Sequence, residues 1–277
     1  MSSRRSLLFV PGTRPERFDK ALASGADVIC IDLEDACLPD EKAGARQAAL
    51  DYIAASDNPA SLVLRVNSPR TPYGFEDIAA IIARDDLPAL TLMLPKVATD
   101  VDVQIIDQAL AHKSVELIAL IESAEGVGNA MAIAKASKRL VALMFGGGDL
   151  SAELGTTLDW EPMYFSRCQL AVAAASQQLE LIDVPYLDVR NDEGLAAESL
   201  RVKALGFTCK SAIHPNQVGI INNSFTPSTS DIARARKIVA AYKHCNGGAL
   251  LVDGRMIDLP LVLAAERTVG IAEKLGL

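Results

Sequence analysis

The chain has 277 residues, half of them hydrophobic, and a formal net charge of −8. That length can bury a large core, as two small domains or as one α/β barrel. The mild acidic balance leaves no basic stripe to neutralise phosphates, which argues against nucleic acid, while an anionic small substrate could still be held by a few local cations.

Met1-Ser-Ser-Arg-Arg leads at once into a strand-like segment with no signal-type apolar region. No apolar run approaches the roughly 18 residues of a membrane span. The five cysteines, Cys30, Cys37, Cys168, Cys209 and Cys245, contain no C-x-x-C pair, so neither a disulfide framework nor a thiolate zinc site is expected. The expectation is a soluble cytoplasmic protein that engages no membrane.

Taken in order, short apolar runs end at polar or glycine punctuation. Ser6–Val10 stops at Pro11-Gly12, Asp27–Ile31 at Asp32-Leu-Glu34-Asp35, and Leu62–Val66 carries Arg65 and Asn67 at its end. Leu90–Leu94 stops at Pro95-Lys96, Leu117–Ile121 at Glu122, and Leu140–Phe145 at Gly146-Gly-Gly-Asp149. Leu181–Val184 and Thr208–Ile213 complete the set. Runs of four to six residues rich in Val, Ile and Leu suit parallel strands covered on both faces. Amphipathic stretches predict intervening helices over Glu16–Ser24, Glu41–Ala54, Phe75–Arg84, Asp100–Ala111, Gly126–Lys138, Glu161–Gln178 and Asp192–Leu205.

Eight β/α units without a composition break favour a closed (β/α)8 TIM barrel over an open doubly wound sheet. The first strand also lacks the G-x-G-x-x-G fingerprint of a dinucleotide fold. The barrel is expected over residues 1–224. A C-terminal helical arm or lid over 225–277 would hold helices at Asp231–Tyr242 and Leu261–Leu275, with turn signals at Cys245-Asn-Gly-Gly and Asp253-Gly-Arg-Met.

In a barrel the C-terminal strand ends gather at one mouth, which predicts convergence of Glu34, Asp35, Arg65, Lys96, Glu122, Asp149 and Lys210. Glu122 and Asp149, from consecutive strands, suit a hard divalent cation, although helix capping or pairing with lysine would account for them as well. Arg65 offers a planar fork to a carboxylate or thioester oxygen, or a salt bridge to Glu34 or Asp35. Gly146-Gly-Gly148 either brings backbone N–H groups to a ligand or forms a tight turn. His214, before Pro215, could serve as a base, but a lone histidine is more often a structural hydrogen-bonding residue, and it is read as one. Lys96 or Lys210 could instead form a Schiff base, the rival aldolase chemistry.

Together, Arg5-Ser-Leu-Leu-Phe-Val-Pro-Gly-Thr-Arg-Pro-Glu16, Asp32-Leu-Glu-Asp-Ala36, Arg65-Val-Asn67, Leu94-Pro-Lys96, Ile121-Glu-Ser-Ala-Glu-Gly126, Gly147-Gly-Asp-Leu150, Lys210-Ser-Ala-Ile-His-Pro215 and Asp253-Gly-Arg-Met-Ile-Asp258 resemble the citrate lyase β-subunit-like family of the HpcH/HpaI aldolase superfamily. Malyl-CoA and citramalyl-CoA lyases are close relatives. The resemblance runs from about residue 4 to the C-terminus.

It implies Mg²⁺, with Mn²⁺ as a substitute, on Glu122 and Asp149. Arg65, Glu122, Gly147 and Gly148 would contact substrate, and Glu34, Asp35 and Lys96 would order the surrounding shell. Arg14 and Lys20 would meet the CoA part of an acyl-CoA substrate, and Asp258 would act as acid/base from a neighbouring subunit of a homotrimer or hexamer. The implied reaction is retro-Claisen cleavage of a 3-hydroxyacyl-CoA to acetyl-CoA and a 2-oxo acid, with citramalyl-CoA favoured and malyl-CoA possible. The alternatives are a citrate lyase β subunit working with an acyl-carrier protein, and a non-catalytic CoA-binding protein.

Overall fold

The computed structural model describes residues 4–243 and 250–277, so the expected turn at Cys245-Asn-Gly-Gly lies outside the described residues. The chain divides into two units, one of Arg4–Asn222 and a C-terminal one that begins at Asn223.

The first unit is a closed barrel of eight parallel strands in chain order. They are β1 (Ser6–Pro11), β2 (Val28–Asp32), β3 (Leu62–Arg65), β4 (Leu90–Leu94), β5 (Val115–Ile121), β6 (Leu140–Phe145), β7 (Glu180–Asp183) and β8 (Cys209–Ala212). The surrounding helices are α1 (Phe18–Leu22), α2 (Lys42–Ala55), α3 (Pro72–Ile82), α4 (Asp100–Ala109), α5 (Ala124–Gly128), α6 (Ala130–Ile133), α7 (Gly147–Glu153), α8 (Trp160–Ser176), α9 (Asp192–Ala204) and α10 (Pro215–Phe225).

The expected helix over Gly126–Lys138 is two short ones that meet at Asn129, whose side-chain amide donates to Ala98 O at 2.9 Å. Helices α7 and α10 were not expected. Helix α7 opens on glycines that read as a turn, yet a Cβ on Gly147 would lie 2.5 Å from Leu158 Cδ1 and 2.8 Å from Phe145 Cε1. Close packing, rather than a turn, requires the glycine there.

One buried cluster draws residues from every strand: Leu7, Val28, Cys30, Val63, Met93, Ile118, Leu120, Ala142, Met144, Ile182 and Cys209. This is the lumen, and it follows the period of two along each strand. Continuing that period by one step past the apolar layer reaches Asp32 after Cys30, Arg65 after Val63, Glu122 after Leu120 and Gly146 after Met144. The alternation that fills the barrel thus also delivers its polar groups to the top.

Residues of the opposite parity face the helices. On β7 and β8 these include Asp183 and Lys210, both fully buried. Asp183 accepts from Arg167 Nε at 2.9 Å and Lys210 Nζ at 2.5 Å, and Lys210 also donates to Val184 O and Glu198 Oε1. Burial opposes the Asp183 charge, and the Lys210 and Arg167 cations outweigh it, holding the carboxyl below its usual range. The Arg167 guanidinium is stacked over Phe145 and Trp160, at 4.9 and 5.1 Å from the ring centroids.

The C-terminal unit contains α11 (Thr229–Lys243), a hairpin of β9 (Leu250–Val252) and β10 (Arg255–Ile257), and α12 (Leu259–Lys274). Asp253 and Gly254 both have positive φ, 50° and 74°, the backbone that a two-residue Asp-Gly hairpin turn requires. Ile238, Val252, Ile257, Val262 and Ala265 form this unit's own core. Among the described residues no helix is long and apolar enough to cross a membrane.

Removing one cation from the Arg167–Asp183–Lys210 cluster leaves a buried charge under-compensated. Lys210→Met is expected to destabilise the barrel by about 3–5 kcal/mol in urea unfolding; a loss below about 1 kcal/mol would mean that Arg167 alone satisfies Asp183.

Candidate active site

Arg65 is held by Asp32 more than by any other group. Its Nε and Nη2 donate to the two Asp32 oxygens, each at 2.7 Å, and its Cζ lies 5.1 Å from the Phe9 ring centroid. Asp32 also accepts from the Glu34 and Ala36 N–H groups at 2.9 and 3.2 Å. The remaining nitrogen, Nη1, faces Glu34 Oε2 at 3.2 Å and Asp35 Oδ2 at 3.5 Å. Burial works against the guanidinium charge, but Asp32 and Glu34 more than offset it and hold the group firmly protonated. The salt bridges expected to Glu34 and Asp35 exist, but the principal partner is Asp32. Its place on the lumen face of β2 was the available signal.

Lys96 follows Pro95 at the end of β4 with φ of 55°, a left-handed conformation unusual for a residue with a side chain. That bend turns its N–H onto Glu122 Oε1 at 2.7 Å. Its Nζ reaches Glu34 Oε1 at 3.0 Å, Asp149 Oδ2 at 3.7 Å and Asp35 Oδ1 at 3.9 Å. Burial disfavours the ammonium, but Glu34, Asp35 and Asp149 together raise its pKa.

Glu122 differs from its neighbours. It is buried, and among the described residues no lysine or arginine lies within ion-pair distance. Desolvation first, and then the charges of Glu34 and Asp149, push its carboxyl up to about 8, with the Lys96 N–H and Arg65 working the other way. Gly146 makes room for it, since a Cβ there would lie 2.3 Å from Glu122 Cβ and 2.9 Å from Oε2. Asp149 stands beside it in the first turn of α7, half exposed. Glu34 is buried as well, and desolvation again raises its pKa; its Oε2 makes no hydrogen bond.

These oxygens fit a hard divalent cation. Two carboxylates, one of them desolvated and lacking a cationic partner, match the one or two that Mg²⁺ takes from a protein when substrate and water supply the rest.

A pocket of about 490 Å³ lies over the lumen, lined on one side by Asp32, Asp35, Arg65, Glu122 and Asp149. Val184, Pro185, Leu187 and Ile213, from the loops after β7 and β8, form an apolar wall, with Phe9, Leu120 and Met144 at the base. Two grooves adjoin it. One, about 450 Å³, shares Pro11 and Ala36 with the pocket and carries Arg14 and Arg17. The other, about 870 Å³, shares Asp35, Glu122 and Asp149 and runs past Lys96, Ser68 and Tyr73.

The structure therefore brings Glu34, Asp35, Arg65, Lys96, Glu122 and Asp149 together. Lys210 is not among them, because it sits low on β8, opposite Ser6, with its side chain in the helix layer. Gly146 and Gly148 line the pocket, whereas Gly147 packs against Leu158 and Phe145. Lys20 is exposed on α1 and does not line the Arg14 groove, where Arg17 is the second cation. Asp258 belongs to the C-terminal unit and caps α12, accepting from the Leu261 N–H. His214 accepts from the Asn216 N–H, a local turn contact.

The model of the HpcH/HpaI aldolase/citrate lyase family matches residues 5–215. L-malyl-CoA/beta-methylmalyl-CoA lyase of Cereibacter sphaeroides is 32% identical over 98% of this chain and 95% of its own length. The mitochondrial citramalyl-CoA lyase of Homo sapiens is 32% identical over 97% of this chain and 85% of its own. Among solved structures, protein CitE from Mycobacterium tuberculosis, in complex with magnesium, acetoacetate and coenzyme A, superposes with a TM-score of 0.82 at 32% identity, covering 98% of both chains.

The position of Glu122 sets a pH dependence in metal-free protein. Its carboxyl titrates at about 8 when folded against an ordinary value of 4.5, so the folded state holds the extra proton between those limits and stability falls as pH rises through them. Urea unfolding in EDTA is expected to show a loss of stability from about pH 5 to pH 8 that Glu122→Gln reduces. Equal pH dependence in the two proteins would show that Glu122 is not desolvated as described.

Proposed function

This chain belongs to the HpcH/HpaI aldolase/citrate lyase family, and from that premise we propose that it is a carbon–carbon lyase that cleaves a 3-hydroxyacyl-CoA thioester to acetyl-CoA and a 2-oxo acid. Citramalyl-CoA is the favoured substrate and malyl-CoA the second. The observation that carries this choice is the charge of the pocket. One arginine, already forked onto Asp32, stands among four carboxylates, opposite a wall of Val184, Pro185, Leu187 and Ile213. The extra carboxylate of a citryl group would enter a site rich in like charge, whereas a methyl group meets aliphatic side chains. Leu187 is 64% exposed and Ile213 43%, apolar surface left open for a ligand to cover.

Held by Glu122 and Asp149, Mg²⁺, or Mn²⁺ in its place, would supply Lewis acidity toward the substrate's hydroxyl and carboxylate oxygens. The protein's own groups do the rest. Asp32 fixes the Nε–Nη2 edge of the Arg65 guanidinium, leaving Nη1 to exchange its contacts with Glu34 and Asp35 for an oxygen of the forming oxo acid. A well-placed donor of this kind typically contributes about 3–4 kcal/mol to the transition state. A general base takes the hydroxyl proton, the oxygen's electron pair forms the C=O of the 2-oxo acid as the C2–C3 bond breaks, and the electron pair of that bond moves onto the thioester carbonyl as the acetyl-CoA enolate. Asp258, arriving from a neighbouring copy in a homotrimer or hexamer, would protonate C2 to complete acetyl-CoA. Arg14 and Arg17 line the groove that leaves the pocket at Pro11 and Ala36, and would meet the CoA phosphates there. Lys20, one turn further along the exposed face, would extend that cationic approach.

The test is release of acetyl-CoA and 2-oxo acid from citramalyl-CoA, malyl-CoA and citryl-CoA, each with Mg²⁺ and with EDTA. Metal-dependent cleavage fastest on citramalyl-CoA is expected, and Glu122→Ala should abolish it; cleavage that survives EDTA and this substitution would sink the metal assignment. Gly146→Ala, which drives a methyl into the Glu122 side chain, is expected to cost about 100-fold in turnover. Activity within about threefold of wild type would mean that the carboxylate tolerates displacement.

A further inference from the structure

The apolar wall of the pocket stands on weak backbone support. Strands β7 and β8 share only two register pairs, Ile182 with Cys209 and Asp183 with Lys210. Past Asp183 the chain runs irregularly through residues 184–191 before α9 begins. Buried side chains take over there. Ser211 Oγ donates to Asp183 O at 2.7 Å and Lys210 Nζ to Val184 O at 2.7 Å.

Gln217, on the first turn of α10 and 2% exposed, joins the two loops. Its Nε2 donates to Tyr186 O at 2.7 Å, while its Oε1 accepts from the Ile213 N–H at 3.0 Å and the His214 N–H at 3.3 Å. Only this orientation of the amide satisfies all three partners. Tyr186 lies between Pro185 and Leu187, and these two, with Ile213, line the pocket. One amide that does not itself line the pocket therefore ties the backbone at or beside three of its wall residues.

We propose that Gln217 is a positioning residue that holds the β7 and β8 loops in register, and so sets how closely the apolar wall fits the substituent on the substrate's C3. The proposal rests on the lyase reading above and deepens it, because that substituent is what separates citramalyl from malyl thioesters. A methyl group in a shaped apolar pocket is worth roughly 10–200-fold in selectivity, and a wall whose backbone drifts gives that up. Loss of Gln217 would also leave the Tyr186 carbonyl and two N–H groups without their partner.

The experiment compares kcat and KM for citramalyl-CoA and malyl-CoA in wild type, Gln217→Leu and Gln217→Glu, with thermal unfolding of each. Leucine keeps the volume and removes all three bonds. Glutamate keeps the acceptor for Ile213 and His214 but sets an oxygen against Tyr186 O, so it frees the β7 loop selectively and carries the test where the leucine variant does not fold. A fall of at least about fivefold in the ratio of kcat/KM between the two thioesters, with KM for citramalyl-CoA rising more than kcat falls, is the expected result. Folded variants whose ratio stays within about twofold of wild type overturn the role of Gln217, whatever their melting temperatures. Wild-type protein that cleaves neither thioester overturns the lyase reading and this proposal with it, and that outcome appears before any variant is compared.

Discussion

An apolar lumen capped by charge is the constraint from which the site follows. Among the described residues, Arg65 and Lys96 are the cations that form ion pairs with the cluster of five carboxylates at the mouth: Asp32, Glu34, Asp35, Glu122 and Asp149. With every group ionised, 2 − 5 leaves a formal charge of −3 over a low-dielectric core. The cations are not shared evenly. Arg65 spends its bidentate edge on Asp32, and Lys96 bridges Glu34, Asp35 and Asp149, so the shortfall falls on Glu122. That carboxyl must either keep a proton, as its rise to about 8 expresses, or meet a cation from outside. The unusual local features serve this arrangement. Lys96 adopts a left-handed backbone to give Glu122 an N–H, and residue 146 is glycine because a Cβ would occupy the carboxylate's place.

The same distribution of charge decides between metal-assisted and covalent lysine chemistry. A Schiff-base lysine has to be neutral near physiological pH, usually through desolvation or a neighbouring cation. Lys96 has the opposite surroundings, with its ammonium held by three carboxylates and its pKa raised. Lys210 is fully buried but spends Nζ on Asp183, Val184 O and Glu198, on the outer side of the barrel wall. One lysine is accessible but charged, and the other is removed from the pocket. In the proposed lyase reading the cleavage would therefore fall to oxygen ligands and an arginine.

The strands were legible in the sequence because parallel strands covered on both faces must be short, branched and apolar, and their ends carried the residues that meet at the mouth. What escaped had no period to betray it. Helix α7 starts on consecutive glycines, and α10 starts at Pro215, directly after His214, with the polar pair Asn216 and Gln217. A continuous amphipathic pattern is divided at Asn129, whose amide donates to Ala98 O in the loop after β4. Asp32 was visible as a residue, but its role as the Arg65 clamp depends on register, since Asp32 pairs directly with Arg65 across β2 and β3. Register emerges only when the barrel closes. Lys210 misled for a related reason, because a strand position does not reveal parity until the lumen face is known.

In the proposed reading, recognition would be divided between two arcs of the barrel. Strands β2 to β6 carry the charged groups; ion pairs tie Asp32, Glu34, Asp35, Arg65, Lys96 and Asp149 to one another, and the Lys96 N–H holds Glu122. The loops after β7 and β8 carry the apolar wall, and their backbone is held by Lys210, Ser211 and Gln217 through bonds made outside the pocket. Shape can then vary on one arc while the charge arrangement on the other is preserved.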